Sequence, residues 1–135
     1  MYNEAHIQLV AQAKAIHLCH KMCPNAKIGP APNITTSYLF IGEDGHVFDP
    51  YCIRVTARRL TDRYHLPVII TENGYGRPDT LEEDGSIHDS YRIEHLRETI
   101  RQMEIGIKEG ADIIGYCSWS AVDLVSTREG ITKRY

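Results

Sequence analysis

The chain is 135 residues long, 42% apolar and 24% charged, with a formal charge of -3 and a pI near 6.1. That length fits one domain with a modest core, and the composition argues against wholesale disorder. Scattered basic residues under a net negative charge argue against nucleic-acid or anionic-membrane partners, and no apolar run approaches a membrane span of roughly 20 residues.

Residues 2 to 23 read as a helix, with Leu9, Ala13, Ile16, His20 and Cys23 on one face and Pro24-Asn25 ending it. His17, Cys19, His20 and Cys23 lie on that helix, but they lack CxxC spacing and a second ligand cluster downstream. The four cysteines, Cys19, Cys23, Cys52 and Cys117, suggest reduced, partly buried thiols, and no metal or other cofactor is expected. Absence of a basic-then-apolar opening points to a cytoplasmic protein. Asn33-Ile34-Thr35 fits a glycosylation triplet, a pattern that also arises by chance.

A short strand is expected at Ala26–Gly29, then an irregular region from 30 to 48 containing Pro30, Pro32 and Gly42-Glu43-Asp44-Gly45. Asp49 as N-cap and Pro50 at the first helical position start a second helix, with Ile53, Ala57, Leu60 and Tyr64 as its buried stripe. Pro67 opens a strand, and Val68-Ile69-Ile70 is the β-branched run of a strand buried on both faces of a parallel sheet. Residues 77 to 88 read as a polar surface loop. Asp89 caps a third helix whose stripe is Ile93, Leu96, Ile100, Met103 and Ile107, with Gly110 at its end. A last strand, Ala111 to Trp119, ends in Ser118-Trp119-Ser120.

Alternating helices and strands mean parallel α/β, in which ligands gather at strand C-termini. Two strands end in chemistry-bearing groups there, Glu72-Asn73 and Ser118-Trp119. Taken alone, Glu72 could equally cap a loop or pair with an arginine, and Trp119 could be a core indole. A (β/α)₈ barrel uses these tips for catalysis, but it takes roughly 250 residues, so this chain is a small open sheet or a part of a barrel.

Thr71-Glu72-Asn73-Gly74, Asp89 and Arg92, then Gly115-Tyr116, Trp119-Ser120 and Asp123, in that order, resemble the C-terminal part of glycoside hydrolase family 1. The likeness extends to the first helix and covers nearly all the chain except residues 39 to 45. It implies an incomplete (β/α)₈ TIM barrel, residues 1–135 of one domain holding strands five, seven and eight, with a segment missing near 38–45. It implies Glu72 as the nucleophile of a retaining β-glycosidase and Trp119 as a wall of the sugar subsite. Retaining enzymes need a second carboxyl about 5–5.5 Å from the first. Asn3-Glu4 is the tempting pair, but it runs straight into a helix instead of ending a strand, so the acid/base is expected outside this chain, which alone should be inactive.

Within the family, serine rather than glutamate at Ser126, with Lys133 and Tyr135 after it, resembles the 6-phospho-β-glucosidase branch. Ser126, Lys133 and Tyr135 would hold the sugar 6-phosphate. By themselves, Lys133 and Arg134 read as a solvated pair. Thr127 leans the reading towards glucosides over galactosides. The expected partner is a phosphorylated β-glucoside; the other readings are a β-glucosidase for free sugars and a non-catalytic α/β binding module.

Overall fold

A computed structural model describes residues 2–33, 40–41, 47–76, 79–119, 122 and 125. The chain divides into two units, Met1–Asn33 and Ile34–Tyr135.

The first unit is one helix, α1 (Tyr2–Met22), rich in Ala, Gln, Leu and Lys and free of internal Gly and Pro. Glu4 in its first turn and His20 and Lys21 in its last complement the helix dipole. A turn around Pro24 closes it, with the Cys23 amide donating to Cys19 and the Ala26 amide to Cys23. Of the expected stripe only Ile16 is half-buried; Leu9, Ala13, His20 and Cys23 are exposed. No strand forms at Ala26–Gly29, because within this unit no second strand is present to take its backbone bonds.

Among the described residues of the second unit is a strand pair that the sequence does not announce. β1 (Phe40–Ile41) pairs antiparallel with β2 (Val47–Phe48), inside the stretch expected to be irregular. Helix α2 (Tyr51–Tyr64) follows, starting one residue later than expected but with the expected chemistry. Asp49 Oδ1 accepts from the Cys52 amide at 3.1 Å, and Pro50, needing no donor, fits just ahead of the first turn. His65, in the left-handed conformation at φ 54°, ends the helix by donating its amide to Thr61 O.

β3 (Val68–Asn73) then pairs in parallel with β4 (Ile113–Ser118), and α3 (Ser90–Lys108) is the crossover between them. Gly110, at φ 95°, turns the chain out of α3 as expected. Asp89 holds the N-cap position of α3, but its carboxylate is engaged by Arg92 instead of by a helix amide. The polar loop contains a small turn: Leu81 bridges Ile87, Gly85 sits at φ 82°, and Asp84 accepts from the Ser86 amide at 2.9 Å.

Two expectations about faces are corrected. β3 is not buried on both sides; Ile69, Thr71 and Glu72 are exposed, because its sheet has two strands among the described residues. On α3 the expected apolar stripe is largely outside: Ile93, Leu96, Ile100 and Ile107 are exposed, and of the five only Met103 is buried. The buried positions are Tyr91, His95, Thr99, Gln102, Met103 and Gly106. At Gly106 the two helices are close: a Cβ there would lie 3.6 Å from the Arg54 side chain, an ordinary van der Waals contact. Arg54 Nε donates to Glu109 Oε2 at 2.8 Å while its other arm reaches Glu109 Oε1, and Arg54 Nη1 donates to Gln102 Oε1 at 3.5 Å. Arg58 binds the Glu109 carbonyl and Asp62. Directional bonds thus hold α2 to α3 where apolar packing was expected.

Candidate active site

Because β3 and β4 are parallel, their C-terminal tips lie at one edge of the sheet, and Asn73 pairs with Ser118 there. Glu72 is the exposed residue before Asn73, and Trp119 is the residue after Ser118. The Trp119 amide donates to Asn73 O at 2.7 Å, continuing the ladder past the end of β4. The Tyr116 hydroxyl donates to Asn73 Oδ1 at 3.0 Å. Burial raises the Tyr116 phenol above its ordinary value, so it stays a neutral donor.

Gly74 is fixed by its neighbour. A Cβ there would overlap the Trp119 carbonyl oxygen and stand 2.8 Å from its carbon, so the segments leaving β3 and β4 meet backbone to backbone. Tyr75, next along, joins an aromatic cluster. Its ring stacks on His95 at 5.3 Å and 26°, with Phe48 at 6.1 Å and Tyr91 at 6.0 Å. Tyr91 donates to Asp79 Oδ1 at 3.0 Å, and Arg92 reaches the same carboxylate at 2.8 Å. Burial and then that hydrogen bond push the Tyr91 phenol up to about 12. Tyr75 and Asp79 are therefore each tied to α3.

Of the residues singled out from sequence, the structure brings Glu72 and the 41%-exposed Trp119 to one edge. Glu4 lies exposed on α1, in the other unit. Ser126, Lys133 and Tyr135 lie outside the described residues. Sequence reasoning did not assign roles to Tyr116, Tyr75 or His95. Gly115-Tyr116 belongs to the family-like motif, but a hydroxyl reaching a residue 43 positions away leaves no local signal. Among the described residues no group of three His, Cys, Asp or Glu could hold a metal ion, and no helix is long and apolar enough to cross a membrane.

Residues 41–135 match glycosyl hydrolase family 1. The chain belongs to that family. Among its relatives is Aryl-phospho-beta-D-glucosidase BglC of Bacillus subtilis (strain 168), 47% identical over 77% of this chain and 20% of that protein. Another is 6-phospho-beta-glucosidase AscB of Escherichia coli (strain K12), 40% identical over 82% of this chain and 24% of that protein. A solved family 1 β-glucosidase from Thermotoga maritima superposes with a TM-score of 0.61 at 33% identity, covering 75% of this chain and 23% of its own. The family 1 chain described here thus spans about a fifth to a quarter of the length of these relatives. Its strands, helices and parallel pairing fit a part of the α/β barrel of the family.

Proposed function

We propose that these residues form the nucleophile side of a retaining 6-phospho-β-glucosidase. The observation that carries the reading is the meeting of Glu72 and Trp119 at the C-terminal edge of parallel strands, in a chain 47% identical to an aryl-phospho-β-D-glucosidase. In this reading β3 and β4 are barrel strands seven and eight, α1 follows strand five's predecessor in the fold, and a segment is missing near 38–45. The whole is one barrel domain. Its location is cytoplasmic, where a sugar phosphate would be retained.

Ionised Glu72 attacks the anomeric carbon and forms a glycosyl-enzyme, while a carboxylic acid from outside these residues protonates the departing aglycone. The same group, now a base, takes a proton from the water that releases the sugar. Trp119 offers a flat apolar face to the pyranose. Lys133 supplies a point charge for the 6-phosphate, and Ser126 and Tyr135 supply hydroxyl donors. Glu4 is not the acid/base, so the 135 residues alone do not turn over.

The test is trapping. In the whole enzyme, a 2-deoxy-2-fluoro-6-phospho-β-glucoside should label Glu72 and no other residue. Labelling elsewhere sinks the nucleophile assignment, and faster labelling by the unphosphorylated analogue makes the protein a plain β-glucosidase.

A further inference from the structure

We propose that Tyr116 is a positioning residue for Glu72, acting through Asn73; the inference rests on the hydrolase reading above. Between Ile70 and Asn73 the β3–β4 register is irregular: Ile70 pairs with Tyr116 and Asn73 with Ser118. Three steps along β3 therefore face two along β4, and the extra residue falls in Thr71-Glu72. At such a bulge the ladder alone does not dictate which face a side chain takes, and a one-residue slip sends it to the other.

Asn73 removes that freedom. Its Oδ1 accepts the Tyr116 hydroxyl at 3.0 Å, and its carbonyl accepts the Trp119 amide at 2.7 Å, with the same hydroxyl 3.5 Å away. Side chain and main chain of Asn73 are thus both tied to β4. The residue bonded into the bulge immediately before it is Glu72, so the clasp limits how far its carboxylate can turn. Tyr116 is half-buried and the bond is sheltered, whereas Glu72 itself is exposed and needs an external constraint. Because Trp119 is tied to the same carbonyl, the clasp also sets the distance between the nucleophile and the proposed sugar platform.

Tyr116→Phe in the whole enzyme removes the hydroxyl and keeps the ring. Misplacement of a nucleophile by a fraction of a bond length costs rate more than affinity, so labelling of Glu72 by the fluorosugar phosphate should slow about ten- to a hundredfold, with KM changed less than about threefold. Asn73→Ala should do the same from the other end, and the double variant should lose little more than either single one. A merely structural role would lower the unfolding temperature and leave kcat unmoved. Labelling of Tyr116→Phe within about twofold of wild type, a rise in KM alone, or independent losses in the double variant would each overturn the inference. If wild type is labelled at Glu72 while Tyr116→Phe is unaffected, the hydrolase reading stands and the clasp fails. If wild type is not labelled at Glu72, the hydrolase reading fails, and the positioning role with it.

Discussion

The rings of Tyr75 and His95 lie nearly flat on one another, with centroids 5.3 Å apart and planes 26° apart. This joins the loop that follows the candidate nucleophile to the crossover helix. His95 is 8% exposed and also meets Phe48 edge-on at 5.3 Å, so it anchors the cluster from below. His95→Ala should destabilise the protein by about 2–4 kcal/mol, combining lost ring contacts with a cavity. His95→Phe keeps the stack and should recover most of that. Urea midpoints of the two variants check this; equal losses would mean that the imidazole nitrogens, not the ring faces, hold the loop.

Gly74→Ala is expected to be costly although the change is one methyl. The methyl has no room, because it meets the main-chain carbonyl of Trp119, and backbone does not rotate aside as a side chain would. Either the tips of β3 and β4 separate, breaking the Trp119–Asn73 bond, or the loop rebuilds. We expect a loss of about 1–3 kcal/mol, of the size seen for overpacking. The emission of Trp119, the single tryptophan, should shift with it. Unchanged emission and stability would show that the loop adapts.

Substrate choice can be tested at Ser126. In the whole enzyme, Ser126→Glu places a negative charge against the proposed 6-phosphate, and kcat/KM for 6-phosphoglucosides should fall sharply while free glucosides are spared or helped. Lys133→Met should cost roughly ten- to a hundredfold for the phosphorylated substrate, since charge-assisted bonds are worth about 1.5–3 kcal/mol. Equal losses on both substrates would remove the phosphate site.

Acid should loosen the α2–α3 pair. The hydrogen bond from Arg54 on α2 holds the Glu109 carboxyl below its ordinary range, and within α3 the one from Arg101 does the same for Glu98. Carboxyls with depressed values in the folded state contribute stability that is present above their unfolded values, roughly 4.3 for glutamate, and lost as pH falls through the folded ones. The urea midpoint should therefore drop from neutral pH towards pH about 3, and less steeply in Glu109→Gln. Salt should shrink the difference, because Glu109 is exposed. Parallel pH profiles for the two proteins would refute this.

Periodicity and turn chemistry revealed the order of helices and the two parallel strands. Asp49 and Pro50 marked the start of α2, and Gly110 the end of α3, because caps and left-handed turns restrict residue type locally. The placement of Glu72 at a strand tip was legible for the same reason. What failed was anything that depends on a neighbour. The Ile93, Leu96, Ile100 and Ile107 stripe has a helical period, but period does not say what covers it; α2 meets the polar side of α3 instead. A strand at Ala26–Gly29 needed a partner that its unit lacks. The Tyr116–Asn73 bond depends on an irregular register, which no alternation pattern encodes.

The polar contact between α2 and α3 has a calorimetric consequence. Thr99 and Gln102 are fully enclosed, Arg54 and Glu109 close the rim, and among the described residues the buried apolar ones are Phe48, Ala57, Tyr91, Met103 and Ala111. Heat capacity of unfolding rises with apolar surface exposed and falls with polar surface exposed. This pair of helices should thus melt with a heat-capacity increment well below the usual ~12–15 cal/mol/K per residue. A small increment flattens the curve of stability against temperature, so cooling would weaken this contact far less than it weakens an oily one.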